Sequence, residues 1–361
     1  MVKYCLILKF HLKSLRREFL FKQMLILLLL STAINTAVLA ETKSTKMLDE
    51  KQLALDVEAF YLMMTSKHGF TETELNLWFN DVKPNKGILK AIHRPAEASM
   101  PWFKYRNIFI QQERVDLGVE FWKKNAETLQ RAEKEFGVPA ELIVGLMGVE
   151  TKYGRIKGKN DVFNALYTLG FHYPRRSKFF RKELKEFFLL AREQDWTPGL
   201  IKGSYAGAMG YGQFMPSSYR MYAVDFDKDG KIDLLNNKVD AIGSIANYIK
   251  MHKWKKGGDI IHKAEVAGLG YKALLQRGLK PSKKISDFRK AGVTVNDSLG
   301  SDELALLIEL KQKDHKEYWV ALHNFYVISR YNPRTLYTMA VVQLTEMINE
   351  RYKTSTNGGA K

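Results

Sequence analysis

The order of apolar and polar positions divides the chain into helical stretches separated by proline, glycine and charged breaks. Leu48, Leu53, Leu55, Val57, Phe60 and Leu62 give an apolar stripe, and Thr71-Glu72-Thr73-Glu74 is a capping-box pattern ahead of Leu75 and Trp78. Pro84, Pro95 and Pro101 interrupt the next stretch, which is expected to be irregular and contains Tyr105. A longer helix is predicted from Glu113 to Phe136, stopped by Gly137. The run Val138 to Val149 follows with one charged residue, Glu141. Pro139 suits its first turn and Gly154 its stop. Phe179, Leu184, Phe187, Phe188 and Leu190 mark a helix ending before Pro198, and Val239 to Lys253 marks another, carrying Tyr248. From Gly257 to about Lys316 the pattern changes. Tyr318–Leu322 reads as a strand, and Leu304–Leu310 as a strand or a short buried helix, because periodicity alone does not separate the two. A last helix is predicted from Thr335 to about Tyr352, with a disordered tail after Lys353. No internal repeat or low-complexity segment is present.

Chemistry enters at the end of the apolar run. Ile143, Met147 and Glu150 fall at i, i+4 and i+7, so one helical face carries two apolar side chains and then a carboxylate. Loss of hydration and the negative end of the helix dipole both favour the protonated form of such a group. A carboxyl that holds its proton near neutral pH is what a general acid requires. The competing reading is a helix-end Glu reaching solvent or paired with Lys152 or Arg155. Tyr173-Pro174-Arg175-Arg176 places two forked donors together, suited to carboxylates or sugar hydroxyls, or else forms plain basic surface. Between Lys202 and Ser218, glycine and alanine alternate with aromatics, which suits close backbone approach to a ligand or tight packing between elements. It is not a phosphate loop, since GxxxxGK[ST] is absent.

Asp225-Phe226-Asp227-Lys228-Asp229-Gly230-Lys231-Ile232-Asp233 matches the start of an EF-hand calcium loop. Aspartates stand at positions 1, 3 and 5, with glycine at 6. Lys231 would ligate through its carbonyl. Position 12 is Asn236 rather than glutamate, so Asp240, from a lengthened loop, is the candidate for the last ligand. The carboxylate spacing and the absence of a catalytic partner point to a structural Ca²⁺. A solvated acidic turn is the alternative.

Composition narrows the setting. Of 361 residues, 45% are hydrophobic and 27% charged, which excludes a disordered chain. Fifty-seven Lys and Arg against 39 Asp and Glu give a net charge of +18. Residues 1–40 read as a secretory signal peptide: Lys13, Arg16, Arg17 and Lys22 precede the apolar run Met24 to Ala40, which exits at Val38-Leu39-Ala40. An uncleaved membrane anchor is the alternative. Removing six basic residues and one acid with that segment leaves +13. An exported basic protein meets a polyanion outside the cytoplasm, so the periplasm is the expected address and nucleic acid a poor partner. Cys5 is the single cysteine, so the remainder has neither a disulfide nor a lipid-acceptor cysteine.

Gly148-Val149-Glu150-Thr151, Tyr173-Pro174-Arg175-Arg176, the Gly203-to-Ser218 run and Phe325-Tyr326-Val327-Ile328-Ser329-Arg330-Tyr331-Asn332 together resemble the membrane-bound lytic murein transglycosylase B family, of the glycoside hydrolase 103 type. The likeness covers about residues 47–350. It implies an α+β, mainly α architecture: a lysozyme-like helical core, an N-terminal helical unit and a small inserted β unit. It also implies cleavage of the β-1,4 bond between N-acetylmuramic acid and N-acetylglucosamine, leaving a 1,6-anhydro sugar. By the same resemblance Glu150 is the single acid/base. Ser204, Gln213, Tyr248, Tyr331, Asn332 and Tyr337 are cleft positions, and Tyr105, Arg175 and Arg176 line sugar and peptide sites. The aspartate loop is similar to the family's calcium site. The chain departs from the family's lipoproteins in lacking the acceptor cysteine, and in the lengthened loop before Asp240.

The domains expected are 41–136, an N-terminal helical region; 137–256, a catalytic core with the EF-hand-like loop at 225–240; 257–320, a β-containing insertion; and 321–361, the return to the core. No organic cofactor is expected. The partners expected are peptidoglycan strands and wall-synthesis or division complexes, with the protein acting as a monomer. Two other readings stand beside this one: a muramidase that hydrolyses the same bond, and a non-catalytic, calcium-dependent wall-binding protein.

Overall fold

The computed structural model describes residues 50–93, 100–197 and 199–357. The leader expected over residues 1–40 lies outside them. The chain divides near Glu72 into two units. The first holds helix α1, residues 50–68, closed by Gly69 at φ 64° and by the Phe70 N–H donating to the Met64 carbonyl at 3.2 Å.

The second unit begins with α2 (Glu72–Phe79) and α3 (Lys86–His93). α4 (Trp102–Phe109) follows Pro101 directly, so Tyr105 lies on a helix and not in an irregular stretch. Proline excludes the preceding residues from helix but suits a helix start, and here it starts one. The single helix expected from Glu113 to Phe136 is two, α5 (Gln112–Lys124) and α6 (Ala126–Phe136). Asn125 leaves helical geometry between them, and its side-chain amide donates to the Phe121 carbonyl at 2.7 Å. That local bond competes with the helical ladder, which is why Asn breaks a helix that hydrophobic spacing would continue.

α7 (Ala140–Thr151) is the helix around which the unit is packed. Leu142 to Val149 are all buried, and only Glu141 and Glu150 are partly exposed. The helix is therefore enclosed by α5, α6, α11 (Lys238–Met251) and α14 (Thr335–Asn357) rather than presenting one apolar face. Gly145 allows α14 to approach: a Cβ there would overlap the Thr345 hydroxyl and lie 3.3 Å from the Thr345 Cα. α14 continues past Tyr352 to Asn357.

α8 (Val162–His172) and α9 (Ser177–Glu193) pair beside this centre. Trp78 and Phe79 of α2 interlock with Phe163, Phe187 and Phe188, at ring separations of 5.4 to 5.8 Å. The glycine-rich segment spans β2 (Lys202–Gly203), paired with β1 (Asn160–Asp161), and runs to α10 (Pro216–Tyr222).

Residues 261–321 hold a four-stranded antiparallel sheet in the order β3 (Ile261–Ala264), β6 (Lys316–Ala321), β5 (Leu304–Lys311), β4 (Lys283–Lys284). Leu304–Leu310 is thus strand. The sheet is apolar on both faces, which hides the period of two. Ala305, Leu307 and Val320 join Ile285 and Phe288 of α12 (Ile285–Lys290) in the sheet's own core, while Leu306, Ile308 and Leu310 point the other way and are buried too. β5 on that side meets α4. α13 (His323–Ser329) then returns the chain to α14.

Gly145→Ala should lower the stability of the fold by about 1–3 kcal/mol, since α7 and α14 must separate to admit the methyl group. Chemical denaturation checks this; a variant of unchanged midpoint would show the two helices are not in the contact described.

Candidate active site

A helix end inside a protein leaves carbonyls that need donors. At the C-terminus of α7 they are supplied from several elements. The Lys152 and Tyr153 N–H groups return to the Gly148 and Met147 carbonyls, and Lys152, Tyr153 and Gly154 all take positive φ. The Arg114 guanidinium of α5 donates to the Gly148 carbonyl at 2.5 Å. Burial pushes the Arg114 pKa down, yet a cation here opposes the negative end of the helix dipole. The Tyr153 hydroxyl donates to the Arg114 carbonyl at 2.8 Å. Thr151, fully buried, donates to the Tyr211 carbonyl and accepts from the Gly154 N–H, each at 2.9 Å, which ties the end of α7 to the glycine-rich segment. Lys152 pairs with Glu113 at 2.8 Å.

Glu150 stands one residue before this knot. Its Oε1 accepts a hydrogen bond from the Tyr337 hydroxyl of α14. The surroundings are phenolic. Burial and then the Glu150 charge push the pKa values of Tyr331 and Tyr337 well above the ordinary tyrosine value. Tyr248 is also raised, by burial first, with Glu150 contributing. Tyr105 of α4 adds a smaller upward push to Tyr337. Tyr248, Tyr331 and Tyr337 therefore stay protonated and act as donors.

Two of these tyrosines are each held by a backbone acceptor. Tyr331 donates to the Gly212 carbonyl and Tyr248 to the Arg330 carbonyl, both at 2.6 Å. Their rings lie 4.8 Å apart, with Phe214 at 5.5 and 5.8 Å. Gly212 is required for this approach, since a Cβ there would sit 2.9 Å from the Tyr331 hydroxyl. Asn332 adjoins Tyr331. Gln213, at φ 49°, uses its amide to hold the Lys157 and Gly210 carbonyls at 3.1 and 3.0 Å. Ser204 Oγ accepts the Ala206 and Ala208 N–H groups at 3.3 and 3.0 Å. The structure thus joins Glu150 to Tyr337 and Tyr248 to Tyr331, while Tyr105 packs between Trp102 and Phe109 on α4, and Gln213 and Ser204 brace the glycine-rich segment. Arg175 and Arg176 lie in an exposed 3-10 turn after α8, and Arg176 stacks on Phe179 at 4.2 Å. Thr151 and Tyr211 stand inside motifs read from the sequence, but without a role of their own there, and nothing in the spacing of Arg114 marks it.

The nearest downstream carboxylate, Asp161, caps α8 by accepting the Asn164 N–H at 2.8 Å. In the aspartate loop, Asp225, Asp227 and Asp229 each bring a carboxylate oxygen within 4.8 Å of the others. Gly230 takes φ 89°, and the Asp225 carboxylate accepts the Gly230 N–H at 2.9 Å. Asp240, buried on α11, accepts the Phe226 and Asp233 N–H groups at 2.7 and 2.8 Å, pinning both arms of the loop. Lys231 is exposed at the rim.

Residues 54–346 match the Transglycosylase SLT domain family. The chain is 42% identical over 302 residues to membrane-bound lytic murein transglycosylase B of Escherichia coli, covering 81% of this chain and 82% of that protein. The crystal structure of the lytic transglycosylase SltB1 from Pseudomonas aeruginosa superposes with a TM-score of 0.78 at 48% identity, covering 82% of this chain and 97% of that one. The E. coli lytic transglycosylase SLT35 in complex with calcium superposes with a TM-score of 0.75 at 42% identity, covering 82% and 93%.

Thr151→Val keeps the shape of the side chain but removes both bonds that fasten this helix end. A loss of about 1–3 kcal/mol in unfolding free energy is expected, read by denaturant titration. A neutral outcome would show that Thr151 does not hold α7 to the glycine-rich segment.

Proposed function

Because the chain belongs to the transglycosylase SLT domain family and is a peptidoglycan lytic transglycosylase, we propose that Glu150 is the single acid/base of its reaction. The bond cleaved is the β-1,4 linkage between N-acetylmuramic acid and N-acetylglucosamine, and the product carries a 1,6-anhydro ring. The supporting observation is the hydrogen bond from Tyr337 to Glu150 at the buried end of α7. It fixes the orientation of one carboxyl group among phenols that stay protonated. Two-carboxylate glycosidases place the second group roughly 5–9.5 Å from the first. Asp161, the nearest downstream in sequence, is engaged instead at the start of α8.

Glu150 first gives its proton to the glycosidic oxygen, and the C1–O bond breaks as the N-acetylglucosamine side leaves with that proton. The muramic N-acetyl group, or a dipole from Ser204 or Asn332, stabilises the positive ring carbon. The ionised Glu150 then takes the proton of the muramic 6-hydroxyl as its oxygen bonds to C1. The anhydro ring closes, the acid is regenerated, and no water is consumed. Tyr105, Tyr248, Tyr331, Tyr337 and Gln213 orient the sugars, with Arg175 and Arg176 toward the strand's peptides. A muramidase would admit water in place of the 6-hydroxyl.

Ca²⁺ fits the aspartate loop, since three carboxylates already converge on a turn made by glycine. Asp225, Asp227 and Asp229 would hold it with the Lys231 carbonyl, whereas Asp240, expected as the last ligand, lies outside this carboxylate cluster and braces the loop through the Phe226 and Asp233 N–H groups. The ion would neutralise three like charges, a structural and not a catalytic service. Among the described residues no helix is long and apolar enough to cross a membrane. Export to the periplasm rests on the leader read in residues 1–40.

Glu150→Gln should lower turnover of purified sacculi roughly 10³-fold or more while glycan binding persists. Retained turnover would remove Glu150 from its role. Mass spectrometry of wild-type digests should show anhydro ends; ends heavier by one water would establish the muramidase instead. Saturating Ca²⁺ at about 100 times its dissociation constant adds about 2.7 kcal/mol, so chelator should lower the melting temperature by roughly 5 °C. Unchanged melting in excess chelator would take the ion out of the account.

A further inference from the structure

A cleft of about 550 Å³ lies between the helical core and the sheet. One wall is Trp102, Phe103 and Arg106 of α4 with Gln343 of α14. The other is Lys263 of β3 with Glu317 and Trp319 of β6, and Gln312 and His315 stand at the hairpin turn. Antiparallel register explains the second wall. Lys263 pairs with Trp319, and Glu317 lies two residues from it, so all three side chains share the sheet face that looks toward α4.

The charges in this cleft are unbalanced. Arg106 uses its Nε to hold the Gln343 side-chain oxygen at 3.0 Å, which leaves both terminal nitrogens of the fork. Among the described residues no carboxylate pairs with Arg106 or Lys263. The one carboxylate in the lining, Glu317, lies 3.9 Å from His315. Two cations without ion-pair partners beside aromatic surface suit a ligand that carries carboxylates on a partly apolar chain.

The cleft shares α14 with the Glu150 site, and α4 packs against that helix. α14 carries both Tyr337, the partner of Glu150, and Gln343 of the cleft. On α14, Gln343 is six residues beyond Tyr337, about 9 Å along the axis. An extended peptide of four residues spans roughly 13 Å. That axial separation is shorter than the length of such a peptide.

We propose that this cleft is a subsite for the carboxylate-bearing stem peptide of a peptidoglycan strand whose sugars occupy the Glu150 site. The assignment rests on the reading of Glu150 given above. It also gives the sheet a part in recognition, because its rim supplies the second wall of the peptide site. Arg106 and Lys263 hold the stem carboxylates, and Trp319 and Phe103 cover its aliphatic part.

The test compares kcat/KM on glycan strands bearing intact stems with kcat/KM on the same strands after amidation of the stem carboxylates. The wild-type protein should prefer the free carboxylates roughly three- to tenfold. Lys263→Glu and Arg106→Gln should each bring that ratio toward one. A wild-type ratio of one, or a ratio unmoved by both substitutions, overturns the subsite. If Arg106→Gln fails to fold through loss of the Gln343 bond, Lys263→Glu, an exposed position with no ion pair among the described residues, decides the matter alone. Product identity in the same digests separates the two proposals. Anhydro ends with a ratio of one refute only the subsite, whereas reducing ends with a large ratio refute only the anhydro mechanism.

Discussion

Burying the end of a helix is the constraint on which this site depends. α7 is enclosed along its whole length, so the carbonyls of its last turn cannot turn to bulk water. Arg114, Tyr153 and the Lys152–Gly154 turn satisfy them, and Thr151 carries the same knot across to the glycine-rich segment. Glu150 inherits its position from that network. A carboxyl at a frayed, solvated helix end would sample many rotamers, and this one is held between a satisfied backbone and the Tyr337 hydroxyl.

The phenols around Glu150 share a design. Tyr331 and Tyr337 are lifted above the ordinary tyrosine pKa first by burial and then by the nearby carboxylate. Tyr331 and Tyr248 are anchored through carbonyls on other elements, Gly212 and Arg330. Each of these two phenols spends its single O–H on a backbone carbonyl, which fixes its ring in place. Small residues in the glycine-rich segment are the condition for this, as the approach of Tyr331 to Gly212 shows.

The sheet follows the same logic at larger scale. Its strands are apolar on both faces because one face closes over α12 and the other meets α4. A sheet buried on both sides is fixed in register, and the polar residues that remain at its rim, Lys263 and Glu317, are held beside Trp319. The rim therefore lies in a defined place relative to α4, the helix that also carries Tyr105.

Much of this was legible in the chain itself. Glu150 ends an apolar run with a single charged residue, the aspartates stand at EF-hand spacing, and small residues crowd into one block, because each reflects a local requirement: burial, ligand geometry or backbone freedom. The aromatic blocks also carried the family resemblance, and so the helical architecture. Other features could not be read. Asn125 splits a helix that hydrophobic spacing alone continues, Tyr105 lies on a helix started by Pro101, and α7 is buried all round instead of on one face. Arg114 had no signal at all, since its role depends on meeting a carbonyl 34 residues away in sequence. Local chemistry is written in neighbouring residues. Which distant donor satisfies a buried acceptor is decided only when the helices pack, because that choice depends on distances no spacing in the chain encodes.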